Sequence, residues 1–356
     1  MDDLLTIPET PVRERPPRLA SPQLRLFVRL FLLSAPFILF LLFFEVRFAQ
    51  LEPSDIQAKK HLLQRQLSRT QVLILGSSHE FAGILPKELG LPAFNLAGQS
   101  QSLYYDTALI YKYLPQLKSL KLVILPISYF SLEYELDEGP EPWRAYQYDY
   151  FYSIPHRNWH KAISARNFSA YFLCSESFRA RVTFGLATNA ILHFDEWGGL
   201  TNRPDGNLLP ARADTNFLYT AAVGTIQRHE AMMKPENMKP ILARLDRLIQ
   251  DLQRRHIQVL LITSPVTRFY SHLIQAATYR QMQQAVHQLA RHYRIPYRNY
   301  MFDSRFSDSD FADADHLNVR GAHKFSRILK AELRRDLGME TPSPAPAQPH
   351  QTSVRK

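Results

Sequence analysis

The sequence predicts an α/β fold, a flavodoxin-like three-layer parallel sheet with helices on both faces. Short apolar runs alternate with segments whose apolar residues recur at helical spacing, which is the pattern of a parallel sheet. The clearest run, Val-Leu-Ile-Leu at 72–75, stops at Gly76. The apolar residues that follow it have helical spacing, namely Phe81, Ile84 and Leu85. With 356 residues, 45% of them apolar, the chain can form one sizeable core and an accessory region.

Five strands and several helices follow from this alternation. Strands are predicted over 71–76, 92–96, 120–125, 258–263 and 296–300. Helices are predicted over 102–114, 241–252, 273–293 and 319–337. The strand and helix pattern breaks at about Ser128 and resumes near Asn237, so the α/β domain is assigned to 71–127 and 237–338. An unstructured loop of this length is improbable in a compact domain, and we interpret 128–236 as an aromatic-rich inserted subdomain or lid.

The N-terminal region predicts a membrane anchor. Residues 1–22 are polar and proline-rich and are expected to form a disordered cytoplasmic arm. Residues 23–48 form the predicted transmembrane anchor, whose uncharged Phe/Leu run reaches spanning length over 24–44 if two arginines snorkel to the headgroups. Arginines on the N-terminal side place that side in the cytoplasm. A cleaved signal peptide and a buried soluble helix are the alternatives.

The segments that flank the α/β domain carry no pattern of a packed core. Residues 49–70 are charged and helix-prone and are predicted to form a stalk. Residues 339–356 are proline-rich and are predicted to be a disordered tail.

Ser78 is the candidate nucleophile. It follows the first predicted strand and begins a helix, at the carboxyl edge where parallel sheets bind ligands. The helix N-terminus favours developing negative charge on a reacting oxygen. A serine that caps a helix is the alternative explanation. Ser77 is expected to serve the turn or to cap the helix. His79 is expected to be a polar surface residue, and contact with the site is the alternative.

His316 is the candidate base, and Asp313 is the candidate carboxylate that orients it. An aspartate three residues before a histidine can accept from Nδ1–H and leave Nε2 free to take the serine proton. Asp313 is preferred to Asp315, because adjacent residues in a turn tend to point apart. The other aspartates of 303–315 lack the spacing of a calcium loop, and a single cysteine, Cys174, excludes a cysteine zinc cluster. We therefore predict neither a metal nor another cofactor.

Two blocks resemble the SGNH/GDSL hydrolase superfamily. Gly76-Ser77-Ser78 ends the first strand, and Asp313-Ala-Asp-His316-Leu-Asn318-Val-Arg-Gly321-Ala322 lies near the C-terminus in the expected order. The second block is similar to that of a membrane-anchored branch, which includes alginate O-acetylation proteins and D-alanyl-lipoteichoic acid transfer proteins. The resemblance covers roughly residues 70–336 and implies that the nucleophile is Ser78, in a Ser-His-Asp triad.

The resemblance also implies donors for an oxyanion. The Ser78 backbone N–H is one, and Asn95-Leu-Ala-Gly98 resembles the family's second block, which makes Gly98 the next candidate. The family's third donor is an asparagine after the third strand, where this chain has Pro126-Ile-Ser128. Either Ser128 substitutes for it or the donor is missing.

Aromatic residues of the insertion are candidates for binding substrate. Trp143 and Tyr146 belong to an aromatic-rich run of the kind on which sugar rings stack, although core packing is the alternative for most of these side chains.

The function implied by the resemblance is that of a membrane-anchored serine acyl-esterase or O-acyltransferase. Its substrate would be a cell-envelope polysaccharide or glycolipid, and a polytopic membrane O-acyltransferase would be its partner. The catalytic domain would lie outside the cytoplasmic membrane, in the periplasm or the extracellular space. The alternative from another class is a non-catalytic scaffold or polysaccharide-binding protein. The net charge of +10 accompanies no nucleic-acid motif, so a nucleic-acid partner is not expected.

Overall fold

The computed structural model describes residues 22–50, 55–157, 169, 192–202 and 215–338. The chain divides into two compact units, residues 1–51 and residues 52–356. The predicted cytoplasmic arm, except for Pro22, and the predicted tail lie outside the described residues.

The N-terminal unit contains one long helix, α1 (Pro22–Gln50), with Pro36 in its interior. Its segment Pro22–Val46 is long and apolar enough to cross a membrane, a test that an N-terminal signal sequence also passes. The large apolar side chains of this segment are exposed within the protein. An exposed apolar surface of this extent is typical of a segment that contacts a membrane or another protein.

A five-stranded parallel sheet lies at the centre of the second unit. The strands are β1 (Val72–Ile74), β2 (Ala93–Asn95), β3 (Leu122–Pro126), β4 (Gln258–Thr263) and β5 (Tyr297–Asn299). All neighbouring strands are parallel, and their order is β2-β1-β3-β4-β5. This is the flavodoxin-like order, so the predicted fold class is confirmed. The connection reverses direction between β1 and β3, where such sheets bind ligands at their carboxyl ends.

Strand residues alternate between two cores. In β1, Leu73 faces a core that includes Tyr105 and Leu245, whereas Val72 and Ile74 face a core that includes Phe325. Because both faces of the sheet are covered at its centre, β1 and β3 are apolar at every position rather than at alternate ones. This explains why these two strands appear in the sequence as continuous apolar runs, whereas the edge strand β5 is polar and partly exposed.

The helices of the second unit cover both faces of the sheet. Within the described residues they are, in chain order, α2 (Asp55–Gln66), α3 (Ser78–Gly83), α4 (Pro86–Leu89), α5 (Leu103–Tyr113), α6 (Trp143–Tyr152), α7 (Thr215–Met232), α8 (Met238–Arg254), α9 (Arg268–Leu273), α10 (Ala276–Tyr293) and α11 (Val319–Leu337). Single 3₁₀ turns lie at Leu136–Glu138, Pro235–Asn237 and Asp308–Asp310. The helix predicted over 273–293 corresponds to α10 and begins at Ala276, since Ile274 and Gln275 adopt extended backbone, and the short helix α9 before it was not predicted.

The predicted stalk is wrong over α2. Ile56 and Leu63 are buried in the core that covers one face of the sheet. Lys59 is buried too, and its Nζ donates to the Ala97 carbonyl at 2.6 Å. The segment is charged in sequence, but its apolar residues fall on one face, and that face packs against the domain.

The described parts of the insertion pack onto the α/β domain. Tyr148 of α6 stacks on Tyr105 of α5, with ring centroids 4.1 Å apart. Leu192 and Leu200 pack on Phe81, next to the start of α3. The insertion therefore contributes both to the core and to the surroundings of Ser78.

Candidate active site

The turn after β1 presents Ser78 at the carboxyl edge of the sheet. Gly76 has φ +121°, and a Cβ there would lie 2.3 Å from both Glu80 Oε2 and Pro126 Cγ. Only glycine fits this conformation and this spacing. α3 begins at Ser78, whose side chain is half-buried and faces a cavity.

Two buried carboxylates hold the backbone of this turn. Asp106 Oδ1 accepts the Gly76 N–H at 2.9 Å, and Glu80 Oε2 accepts the Ser77 N–H at 3.1 Å. Burial raises the pKa of Asp106 to about 7, against the lowering effect of its hydrogen bonds. Burial raises the pKa of Glu80 as well. The turn that carries Ser78 is therefore held by two acids whose ionised forms are disfavoured by burial.

Replacing Asp106 with asparagine should flatten the pH dependence of stability. The pKa of Asp106 in the folded protein lies above its ordinary value of 3.8, so between pH 3.8 and about 7 the folded protein retains a proton that the unfolded chain has lost. The free energy of unfolding of the wild type should therefore fall as the pH rises through this window. One proton corresponds to about 1.4 kcal/mol per pH unit. Urea denaturation at pH 5, 6 and 7 measures both slopes.

A surface aspartate provides the control for that experiment. Asp251 pairs with Arg254 and with the Tyr111 hydroxyl, and Asp251→Asn should keep the wild-type slope. An Asp106→Asn slope equal to that of the wild type would show that Asp106 is ionised in the folded protein at pH 5.

His316 is held by a loop with its own hydrogen bonds. The Ala312 N–H donates to the His316 carbonyl at 2.7 Å, and Thr267 Oγ1 donates to the Ala314 carbonyl at 2.6 Å. Asn318 caps α11 by accepting the Gly321 N–H at 2.9 Å. The loop is thus fixed at both ends, by the segment after β4 and by the start of α11.

Ser78, His316 and Asp313 come together at the sheet edge. The distance from Ser78 Oγ to His316 Nε2 is 2.7 Å. His316 Nδ1 lies 2.8 Å from Asp313 Oδ2 and 3.0 Å from Asp313 Oδ1. Asp313 Oδ1 also accepts the His316 backbone N–H at 2.8 Å, which fixes the carboxylate. This arrangement can remove the serine proton as the hydroxyl attacks.

Behind this triad lies a second layer of imidazoles around Asp315. His79 Nε2 is 2.9 Å from Asp315 Oδ2, and His229 Nε2 is 3.8 Å from the same oxygen. Asp315 Oδ1 lies 3.4 Å from His316 Nδ1. The sequence assigned His79 to the surface, but its side chain is buried. His229 had no sequence signal, because it lies in the insertion without a motif.

One group of potential metal ligands occurs among the described residues. Ligand atoms of His79, Asp315 and His316 lie within 4.8 Å of one another. His316 Nδ1 is also hydrogen-bonded to Asp313, and His79 Nδ1 lies 3.1 Å from Ser128 Oγ. These hydrogen bonds account for the clustering without an ion.

The predicted oxyanion donors occupy different surroundings. The Ser78 N–H has no acceptor within the described ranges and lies beside its own hydroxyl. The Gly98 N–H donates to the Gly76 carbonyl at 3.0 Å, so it has an acceptor in this structure. Ser128 Oγ lies against His79 rather than on the cavity wall. Its role, like that of Gly98, stays a prediction.

A cavity of about 420 Å³ opens onto the triad. One wall is apolar and comprises Phe81, Phe130, Leu192, Leu200 and Met232. Polar side chains of Gln99, Ser100, Glu141 and Arg228 line another part. A site with an apolar wall and a few polar groups suits a small organic substrate.

Trp143 and Tyr146 lie away from this cavity. Trp143 stacks with Arg144, whose Cζ is 4.5 Å from the ring centroid. Tyr146 packs against His156, with centroids 5.2 Å apart. Neither residue lines the cavity that contains Ser78. Within the described residues, Trp143 and Tyr146 therefore lie outside the cavity, and their contact with substrate stays a prediction.

The fold and the site together define an α/β protein of flavodoxin-like strand order with a Ser-His-Asp arrangement at the carboxyl edge of its sheet. The sequence matches no curated protein. A protein-family model matches residues 224–338, less than half of the chain, and carries no functional description.

Several solved structures are similar to the chain over most of its length. A protein described as a platelet activating factor from Streptococcus pneumonia has 13% identity and a TM-score of 0.38, with 85% of this chain and 98% of that chain covered. A protein described as an acylhydrolase from Bacteroides fragilis has 10% identity and a TM-score of 0.36, with 76% and 92% covered. A GDSL-like lipase from Bacteroides thetaiotaomicron has 10% identity and a TM-score of 0.34, with 80% and 97% covered.

Two of these neighbours are described as an acylhydrolase and a GDSL-like lipase. At such low TM-scores, the function proposed below depends on the distances within the site.

Proposed function

We propose that this chain is a serine acyl-esterase or O-acyltransferase that uses Ser78, His316 and Asp313. The observation that carries the proposal is the continuous hydrogen-bonded chain from Ser78 Oγ through both nitrogens of His316 to Asp313, with distances of 2.7 and 2.8 Å. The hydroxyl faces a cavity, and a serine that only capped a helix would not need this orientation.

The proposed reaction proceeds through an acyl-enzyme. Ser78 Oγ attacks an ester carbonyl while its proton moves to His316 Nε2, and Asp313 holds the Nδ1–H. The imidazolium then gives its proton to the leaving alkoxide. Water or a sugar hydroxyl takes the acyl group in the second half of the reaction, and His316 again accepts and returns the proton. The Ser78 N–H is the donor that the turn offers to the oxyanion.

The proposed substrate is an O-acylated polysaccharide or glycolipid of the cell envelope, and the proposed partner is a polytopic membrane O-acyltransferase. Both come from the sequence resemblance, and α1, which is long enough to span a membrane, is consistent with them. In this proposal the N-terminus lies in the cytoplasm and the second unit lies outside the membrane. Copurification from the native membrane tests the partner, and a preparation free of any acyltransferase would count against it.

The experiment that tests the reaction uses the full chain in detergent. p-Nitrophenyl acetate should be hydrolysed, and a fluorophosphonate probe should attach to one serine, which mass spectrometry of peptides would identify as Ser78. An absence of both hydrolysis and labelling would contradict the proposal.

A non-catalytic scaffold is the second candidate, and the donor arrangement favours it. The Gly98 N–H has another acceptor, and Ser128 lies against His79, so two of the three expected oxyanion donors do not face the cavity. Loss of one donor costs on the order of 3 kcal/mol of transition-state stabilisation. Binding of an acylated glycan without turnover of any ester would support the scaffold.

A further inference from the structure

The imidazole of His316 lies between two carboxylates. Its Nδ1 is hydrogen-bonded to Asp313, and Asp315 Oδ1 lies 3.4 Å from the same nitrogen. The His316 ring also faces the His79 ring, with centroids 5.4 Å apart. The positive charge that develops on His316 during acyl transfer therefore lies close to the carboxylates of Asp313 and Asp315. Two other imidazoles, His79 and His229, surround Asp315.

The two carboxylates differ in their exposure to solvent. The Asp313 side chain is 45% exposed, whereas that of Asp315 is 2% exposed. Water screens a charge at the first position, and a charge at the second acts through a medium of lower effective dielectric. The interaction of Asp315 with His316 Nδ1 can therefore be as strong as that of Asp313, although the distance is longer, because Asp315 is buried.

Asp315 is held in its ionised form by its surroundings. Burial opposes the charge, but His316 and the hydrogen bond from His79 lower the pKa of Asp315. Burial lowers the pKa of His229 to about 3, so that ring is neutral at physiological pH. Its Nδ1 lies 2.7 Å from the Tyr270 hydroxyl, which fixes its orientation.

His79 is fixed on both sides. Its Nδ1 lies 3.1 Å from Ser128 Oγ while Nε2 contacts Asp315, and its ring meets Phe130 edge-on at 5.9 Å. A neutral His79 that donates from Nε2 and accepts from the Ser128 hydroxyl satisfies each of these contacts. Ser128 and His79 therefore form a support for the carboxylate of Asp315.

We propose that Asp315 is a positioning residue that stabilises the imidazolium of His316, and that His79 and Ser128 hold Asp315 in place. This inference rests on the proposed function. When the Ser78 proton reaches Nε2 and the bond from Oγ to the carbonyl carbon forms, the positive charge on His316 is balanced by Asp313 from the cavity side and by Asp315 from the interior. The proton then leaves with the alkoxide, and both carboxylates stay ionised.

The first test follows the titration of His316 by NMR in the full chain, in detergent, with ¹⁵N-labelled histidine. Asp315→Asn should move the titration midpoint of His316 to lower pH by about one unit or more. The shift should equal or exceed that of Asp313→Asn, because Asp313 is exposed. An unchanged midpoint in Asp315→Asn, with a lowered one in Asp313→Asn, would overturn the proposal.

A second measurement uses the unaltered protein and does not depend on the folding of a variant. The ¹³C carboxyl signal of Asp315 should show that it remains ionised below the usual aspartate range. Protonation of Asp315 at the pH of the ester assay would overturn the proposal, since a neutral acid cannot support the imidazolium.

Kinetics separate this inference from the proposed function. With p-nitrophenyl acetate, Asp315→Asn should shift the acid limb of the kcat/KM profile to lower pH by the same amount as the NMR midpoint. It should also lower kcat at least tenfold, with KM changed less than twofold. A protein without any esterase activity would contradict the proposed function alone, because the NMR result would still decide the role of Asp315. A loss of kcat without the shift in the acid limb would mean that Asp315 is only structural.

Discussion

Replacing Ser78 with alanine should abolish ester hydrolysis and covalent labelling while the protein stays folded. The Oγ is the atom that His316 Nε2 contacts at 2.7 Å, and no other hydroxyl takes this position among the described residues. Loss of the nucleophile in serine hydrolases lowers kcat by about 10⁴-fold or more. The measurement is kcat with p-nitrophenyl acetate, together with mass spectrometry of the fluorophosphonate adduct. Circular dichroism should show an unchanged fold, since the substitution removes one half-buried hydroxyl.

Alanine variants of two other serines are the controls for that experiment. Ser119 lies before β3, at the opposite edge of the sheet, and its Oγ donates to the Ser68 carbonyl. Ser119→Ala should therefore retain wild-type activity. Ser77 precedes Ser78 and lines the same cavity, and Ser77→Ala should still accept the probe. Labelling that survives in Ser78→Ala and disappears in Ser77→Ala would move the nucleophile to Ser77 and remove the case for the triad.

Replacing Gly321 with alanine should both destabilise the protein and reduce its activity. A Cβ at this position would lie 2.0 Å from the Asp310 carbonyl oxygen and 2.8 Å from Leu317 Cδ2. Backbone cannot move aside as a flexible side chain can, so α11 and the 308–311 segment must separate. Overpacking of this kind typically costs about 1–3 kcal/mol. Because His316 lies in the loop between these two segments, we expect activity to fall at least tenfold.

A glycine in an open position is the matched control. Gly224 lies within α7, and a Cβ there would meet nothing within 4 Å. Gly224→Ala should raise the free energy of unfolding by about 0.5–1 kcal/mol, because alanine is the better helix former. Urea denaturation and ester hydrolysis measure both variants. Wild-type stability in Gly321→Ala would show that α11 does not approach the 308–310 turn as closely as the structure has it.

The positions of the strands and their assembly into a parallel sheet could be predicted from the apolar runs that alternate with helical segments. The runs 71–76, 92–96, 120–125, 258–263 and 296–300 each contain an observed strand. The amphipathic stripe of α8 was equally clear, since Ile241, Leu245 and Leu248 all face the core. The short helix α9 was not predicted, because its six residues are too few to show helical periodicity.

The stalk was predicted from charge, and this was the wrong criterion. Residues 55–66 contain several polar residues, yet Ile56 and Leu63 lie in the core. Lys59 is buried with them, with its Nζ 4.4 Å from the Phe81 ring centroid. A lysine stem packs as an apolar chain once its ammonium finds an acceptor, and here the Ala97 carbonyl supplies it.

The second layer, Asp315 with His79 and His229, shows why rules based on neighbouring residues fail at the edge of a sheet. The sequence favours Asp313 over Asp315 as the carboxylate that orients His316, because adjacent residues in a turn tend to point apart. The two carboxylates do diverge, one toward solvent and one into the interior, but His316 Nδ1 lies within reach of both. His79 was assigned to the surface because it begins a helix, yet that helix end is covered by Phe130 and by the 311–318 loop.

By itself, the sequence determined the alternation of strands and helices, the glycine turn that carries Ser78, and the pairing of Asp313 with His316 at a spacing of three residues. These features depend on local periodicity and on backbone conformation, so they are encoded within a few neighbouring residues. The tertiary structure alone decided that Ser78 Oγ and His316 Nε2 lie 2.7 Å apart, and that Asp315, His79 and His229 form a buried layer behind them. The physical reason is that these contacts join segments up to 238 residues apart, and only the packing of the whole sheet sets the distances between them.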